Sequence, residues 1–426
     1  MMPENSFIIK GDICHSLAPG KLECAGGAFL ICEDGHSAGI FRELPERWSG
    51  LPVIDCTGKL VLPGLVDLHV HASQFAYRGT GMDVELLDWL NAYAFPEESR
   101  FADLEYADEA YRRFVEDVRR GPNTRACVFA TAHAEATLLL MDQLEASGLV
   151  TMVGKVSMDR NAPDGLRESD AESAVSSVLH WLEAAEGRYE RTTPMLTPRF
   201  IPSCSDALLR ALGGIRRERG LALQSHLSEN MGEVELVRSL CPESAFYGDA
   251  YDRFGLFGGE GGPTVMAHCV LSEEPELELI RERGVYIAHC PASNMNVSSG
   301  IAPVRRFLDM SLRTGLGSDV AGGTVTSIFR AMADAIQVSK LRWRLVDESL
   351  KALSAPEAFH LGTAGGGELF NTGSFLPGKE FDAIVIDDRR YSPPGESDIP
   401  TRLERTIYLS DDRDIEHKFV RGRSLF

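Results

Sequence analysis

Eight short apolar runs set the architecture of this chain, because a helix-forming or loop segment separates each of them from the next. The runs end at His71, around Phe129, near Lys155, at Arg199, at His226, at His268, near His289 and at Asp319. Amphipathic segments such as 107–118, 171–185, 206–219, 233–239 and 274–283 lie between them. Strands alternating with helices signal an α/β fold with a parallel sheet, since parallel neighbours need a long crossover. Eight such units close the sheet into a (β/α)8 barrel, a TIM barrel, whose active residues occupy the C-terminal strand ends. Here four of those ends carry histidines, and the others a phenylalanine, a lysine, an arginine and an aspartate.

The first run, 61–71, contains Pro63-Gly64 and finishes in His69-Val-His71. Alternate side chains of a strand share a face, so the two imidazoles project together as a chelating pair. Imidazole nitrogen suits zinc and the later divalent transition metals. Alone, such a pair is as compatible with coincidence as with a site. The fifth run ends at His226 with Glu229 three residues on, the sixth at His268, and the eighth at Asp319 after a Gly-Ser approach. His69, His71, His226 and Asp319 are therefore expected to hold one divalent metal that keeps a position for water. Glu229 is the expected proton shuttle. His268 would orient the water and stabilise developing charge, or else stand hydrogen-bonded behind the ligands.

A two-metal site calls for a bridging group at the fourth strand end, where this chain has Pro198-Arg199-Phe200. One metal is the expectation. Lys155 falls a strand too early and reads as a solvated or hydrogen-bonded lysine. His133-x-Glu135 lacks the downstream Pro-Cys-x-x-Cys of the cytidine-type zinc deaminases. It reads as a strand-end pocket residue or a satisfied histidine, and His289 as a brace for loops.

Outside the barrel, short strands at 7–9, 29–32 and 39–41 precede it, and 378–386 and the Arg421-Gly422-Arg423 hairpin follow it. Both chain ends are expected to combine into a small β-sandwich domain, dividing the chain as 1–62, 63–367 and 368–426. Ser354-x-x-Glu357 reads as a capping box opening the last barrel helix, which ends in Gly365-Gly366-Gly367. The long 72–105 connection contains a helical pattern at Leu86, Leu87, Leu90 and Tyr93. It would cover the pocket or make a subunit contact through Trp89.

A net charge of −20 argues against nucleic acid and anionic membrane as partners and favours a small-molecule substrate. Nine scattered cysteines without a C-x-x-C suit free thiols in a reducing compartment. The first residues lack a basic leader and no membrane-length apolar segment follows, so a cytoplasmic protein is expected.

With these residues in view, the chain resembles the amidohydrolase superfamily. The shared pattern is Asp55-x-x-Gly58, Pro63-Gly64-x-x-Asp67-x-His69-x-His71, then His226, His268, Asp319 and the 378–383 return to the small domain. A narrower likeness, to its guanine-deaminating branch, rests on 71–74, 89–96, 129–133, Pro198-Arg199-Phe200, 225–230 and 317–323. It implies a mononuclear zinc site on His69, His71, His226 and Asp319, with iron(II) as the other candidate metal. It further implies Glu229, Asp319 and His268 as catalytic groups. Guanine would be contacted by Gln74, Arg199, Phe200, His226 and Glu229. The implied reaction is metal-hydroxide hydrolytic deamination of guanine to xanthine and ammonia by a homodimer. Another purine, a pterin or a triazine is the alternative substrate. Ser73 and the Gly121-Pro-Asn-Thr124 run depart from the branch's usual pattern without touching a proposed ligand.

A separate physical argument favours guanine. Its O6 accepts hydrogen bonds where adenine presents an amino donor, and a buried Arg199 is all donors. Gln74 can both donate and accept along another edge of the base, and Phe200 can cover the ring.

Overall fold

The structure is a computed structural model that describes residues 5–395 and 397–426. Residues 1–4, on which the reading of the N-terminus partly rests, lie outside the described residues.

Eight parallel strands are present, the fourth breaking after Pro194 and resuming as Thr197–Pro198 beside Val156–Ser157, short of the expected end at Arg199. Leu65–His71 pairs with Asn123–Phe129, that strand with Val150–Gly154, and that with Thr192–Pro194. In the other half, Leu223–Leu227, Thr264–His268, Tyr286–His289 and Thr314–Leu316 pair in order. A bridge from Leu196 to Leu223 joins the halves on one side. On the other, the amide of Asp319 donates to the His69 carbonyl at 2.8 Å and that of His71 to the Val320 carbonyl at 3.1 Å, closing the barrel. At the first turn into this barrel, a Cβ on Gly64 would sit 2.3 Å from the Thr124 side chain, so only glycine lets the two strands meet there.

Helices cover the barrel where the sequence pattern places them, at Leu104–Arg120, Ala171–Ala185, Asp206–Arg219, Met231–Leu240 and Glu274–Arg283. Their ends carry the expected punctuation. Asp103, Asp170 and Ser205 accept backbone N–H groups at N-termini, and Gly148, Gly220 and Gly284 take left-handed conformations at C-termini. Each helix buries one stripe, as Leu208, Leu209, Leu212 and Ile215 do on Asp206–Arg219. A buried side chain of this size contributes roughly 1.5–3 kcal/mol. The capping box at Ser354 and Glu357 forms as expected.

The two chain ends do combine, as one continuous sheet. They form a single seven-stranded sheet in the order Arg423–Ser424, Ile415–Val420, Ala383–Ile386, Val53–Pro63, Phe7–Ala18, Lys21–Glu33, His36–Phe41. One face packs on the barrel through Leu60, Leu62, Ile384 and Ile386, while alternate residues Val61, Ala383 and Val385 face a second cluster with Phe7, Phe381 and Phe419. The sheet curls over that cluster: Phe7 and Phe419, three strands apart, have ring centroids 4.9 Å from each other, and His36 bridges to Glu380. Register shifts between Gly11 and Ile13 and between Lys10 and Asp12 bend this sheet. The N-terminal strands also run longer than their apolar stretches, because polar residues such as Lys21 and Glu23 pair at the exposed sheet edge.

Two buried cations tie sheet to barrel. Arg125, in the second barrel strand, donates to both oxygens of Asp382 at 2.5 and 2.7 Å and to Glu380 at 2.8 Å. Lys418 donates to the carbonyls of Val118, Arg119 and Gly121 at 3.0, 3.1 and 2.8 Å, the open end of helix Leu104–Arg120.

Candidate active site

The C-terminal ends of strands one, five, six and eight converge on one point. His69 and His71, one residue apart on a fully buried strand, face the same way as expected. The Nε2 of His71 lies 3.2 Å from the Nε2 of His69 and 3.2 Å from that of His226. An oxygen of Asp319 is 3.1 Å from His69 Nε2 and 3.5 Å from His71 Nε2. Asp67 holds the first and eighth strand ends together, accepting from the His69 amide and from both the amide and hydroxyl of Ser318.

This cluster fits a divalent metal. Burial, foremost, lowers the pKa of His69, His71 and His226, so the rings are neutral, the form that ligates. His226 Nδ1 is 2.6 Å from the Arg199 carbonyl; as the donor there, the ring turns an Nε2 lone pair toward the cluster. Three such nitrogens and a carboxylate oxygen, linked through the His69 and His71 contacts, are the donor types of a zinc-like ion. Phe129 backs them, with its ring 4.8, 4.6 and 4.9 Å from those of His69, His71 and His226.

His268 stands at the same point. Its Nδ1 meets Asn294 Oδ1 at 2.9 Å, and its Nε2 lies 3.4 Å from Glu229 and 3.7 Å from Asp319. Ring nitrogens of His69, His226 and His268 also fall within 4.8 Å of one another. Glu229 is buried, and burial, followed by the charges of Glu233 and Asp319, holds its carboxyl well above the usual carboxylate range. The backbone is strained here. His268, Ser228 and Asp319 have φ of 79°, 47° and 46°, left-handed values that cost a non-glycine residue on the order of 1–3 kcal/mol.

A pocket opens over the cluster. Gln74, Arg199 and Phe200 line it together with His71, His226, Glu229, His268 and Asp319. Every sequence-derived site residue except His69, which lies beneath the others, therefore faces one chamber. The 72–105 connection forms a wall through Leu86, Trp89 and Leu90. Trp89 is buried against Tyr77 and points inward, so it is unavailable for the subunit contact expected of it.

Two polar groups differ from expectation. The amide of Gln74 is engaged at both ends: Nε2 donates to Glu98 at 2.8 Å and Oε1 accepts from the Ala321 amide at 3.2 Å. Arg199 donates to both oxygens of Glu98, at 2.5 and 3.0 Å. Glu98 had no signal of its own, because Pro96-Glu97-Glu98 in a helix reads as ordinary first-turn acids.

The histidines and lysine set aside from the site lie away from the pocket. Lys155 is buried and bonded to Glu168 at 2.5 Å, not solvated. His133 does not line the pocket, and its Nε2 has no partner among the described residues. His289 is fully buried with neither ring nitrogen bonded among the described residues, so within them it braces no loop by hydrogen bonding, and burial lowers its pKa to about 3.

A barrel with this histidine and aspartate cluster at its C-terminal mouth defines a hydrolase of the amidohydrolase type. The sequence model of the Amidohydrolase family matches residues 60–425. The human guanine deaminase is 41% identical over 449 residues, covering 100% of this chain and 97% of the relative. That of Dictyostelium discoideum is 36% identical over 455 residues and 100% of both chains. Among solved structures, guanine deaminase from C. acetobutylicum with bound guanine in the active site superposes with a TM-score of 0.96 at 41% identity, covering 99% of this chain and 100% of that one. The chain belongs to the amidohydrolase family, within which these full-length relatives are guanine deaminases.

Proposed function

We propose that this chain is a guanine deaminase, hydrolysing guanine to xanthine and ammonia. The observation that carries the reading is that a ligating cluster and a set of planar-base contacts share one pocket. His69, His71, His226 and Asp319 would hold the metal, most readily zinc given three imidazoles and one carboxylate. When bound, a divalent ion there lowers the pKa of water toward neutrality and polarises the group it meets.

The protein's own groups do the rest. Arg199 keeps Nε–H and one N–H on each Nη beyond its two bonds to Glu98, enough to meet guanine's O6 and N7 acceptors. Phe200 covers the ring and His226 borders it. Glu229, whose carboxyl is raised by burial above the usual carboxylate range, takes the proton of the attacking water and passes it to N3. A C2–O bond forms, the C2–N bond to the exocyclic amine breaks, and a further proton through Glu229 lets ammonia leave. His268, between Glu229 and Asp319, steadies the charge that develops.

We read residues 63–367 as the catalytic unit and 1–62 with 368–426 as the supporting β unit. We also read the protein as a cytoplasmic homodimer. Nine free thiols support the compartment, and light scattering in solution tests the assembly.

Guanine turnover, followed by ultraviolet absorbance and ammonia release, tests the activity. Activity lost to a chelator and restored by zinc is the expected result. Turnover of other purines, pterins or triazines with none of guanine would overturn it.

A further inference from the structure

We propose that Glu98 is a positioning residue for substrate recognition, the hub that fixes both base-reading side chains and neutralises Arg199 beside the cation cluster. The inference rests on the guanine reading for its substrate, but its geometry stands alone.

Glu98 is 1% exposed and sits where the 72–105 connection meets the barrel mouth. Its two oxygens receive three hydrogen bonds from residues far away in sequence. Arg199 donates through both Nη atoms, and Gln74 Nε2 donates to the same Oε1 that accepts from Arg199 Nη2. The far end of Gln74 is anchored in turn by the Ala321 amide, in the loop after Asp319. Both lining groups therefore have their orientation set by one carboxylate that is absent from the pocket lining. An end-on pairing of this kind uses two of the five guanidinium donors and leaves the Nε side of the fork pointed elsewhere.

The charge balance supports the same role. A buried guanidinium close to a divalent ion is repelled by it in low dielectric, and an unpaired buried charge is costly. Glu98 supplies the counter-charge without occupying the cluster. It also joins the pocket wall at Leu86, Trp89 and Leu90 to the recognition residues, because it lies on the same continuous helical stretch.

Glu98→Gln retains shape and removes the charge. In the metal-loaded enzyme the KM for guanine should rise at least tenfold while kcat stays within about threefold and metal content stays near the parent's; Tm should fall, because Arg199 is left buried without its counter-charge. If Glu98 acts through Arg199, the substitution should add little in an Arg199→Lys background, whereas independent sites would add fully. Glu98→Asp, which keeps the charge, should recover part of the KM. An unchanged KM, an equal fall in kcat with loss of metal, or full additivity with Arg199→Lys would overturn the proposal. Should the parent turn over a different ring and not guanine, the substrate reading fails, and the same three variants assayed on that ring still decide the role of Glu98.

Discussion

Glu229 and Arg199 do different work in the same chamber, and single substitutions should separate them. Glu229→Gln preserves volume and hydrogen bonding but cannot carry a proton. Turnover should fall by about 10²–10⁴, the usual contribution of a positioned acid or base, while metal content stays at the parent level. Elemental analysis beside steady-state kinetics checks this, and full activity would remove Glu229 from the proton path. Arg199→Lys keeps a positive charge but loses the planar fork that grips Glu98 and the base. Discrimination between guanine and adenine, measured as the ratio of kcat/KM values, should drop at least tenfold; an unchanged ratio would mean the base is read elsewhere.

At this scale the sequence is legible where chemistry is concentrated in one residue type. Histidines at strand ends can be picked out because strand periodicity tells which way they face. Glu98 could not, since its partners Gln74 and Arg199 are 24 and 101 positions away and a glutamate in a helix has a cheaper explanation. Phe129, under three imidazoles, reads as one more apolar strand residue.

Among the secondary-structure elements, helix Leu104–Arg120 shows how an end far from any catalytic group is finished. Asp103 caps its start, and Lys418, from the other end of the chain, takes up three carbonyls at its finish. Burial, the largest influence, pulls the Lys418 pKa well down, and its three oxygen partners replace the water it gives up. Lys418→Met should leave those carbonyls without donors and cost about 1–3 kcal/mol, seen as a lower denaturant midpoint with kinetic constants unchanged. A midpoint equal to the parent's would show that water replaces the ammonium there. Helix boundaries were legible because caps and glycines mark them locally. The helical stretch Leu86–Ala102 was visible as a pattern, but its inward-facing Trp89 was not, since periodicity does not say which body a stripe packs against.

For the whole molecule, the union of barrel and terminal sheet depends on Arg125. Its bidentate pair with Asp382 is almost fully buried, so removing one partner strands the other charge in the interior. Asp382→Ala should therefore lower stability by about 3–5 kcal/mol. Chemical denaturation measures it, and a loss under 1 kcal/mol would mean that Glu380 alone suffices for Arg125. The barrel was legible as a count of alternating units. The form of the second unit was not, because alternating strands look alike whether two separate sheets face each other or, as here, one continuous sheet curls on itself with its other face on the barrel.

Strand Val53–Pro63 lies between Phe7–Ala18 and Ala383–Ile386, partners made at opposite ends of synthesis. While the polypeptide emerges from the ribosome, one edge of that strand must wait for more than three hundred residues to follow before it finds its mate. A nascent chain stalled anywhere short of Ala383 thus carries an uncovered β edge leading straight into the strand that bears His69 and His71, which makes a late-translated strand a guardian of the first element of the catalytic mouth.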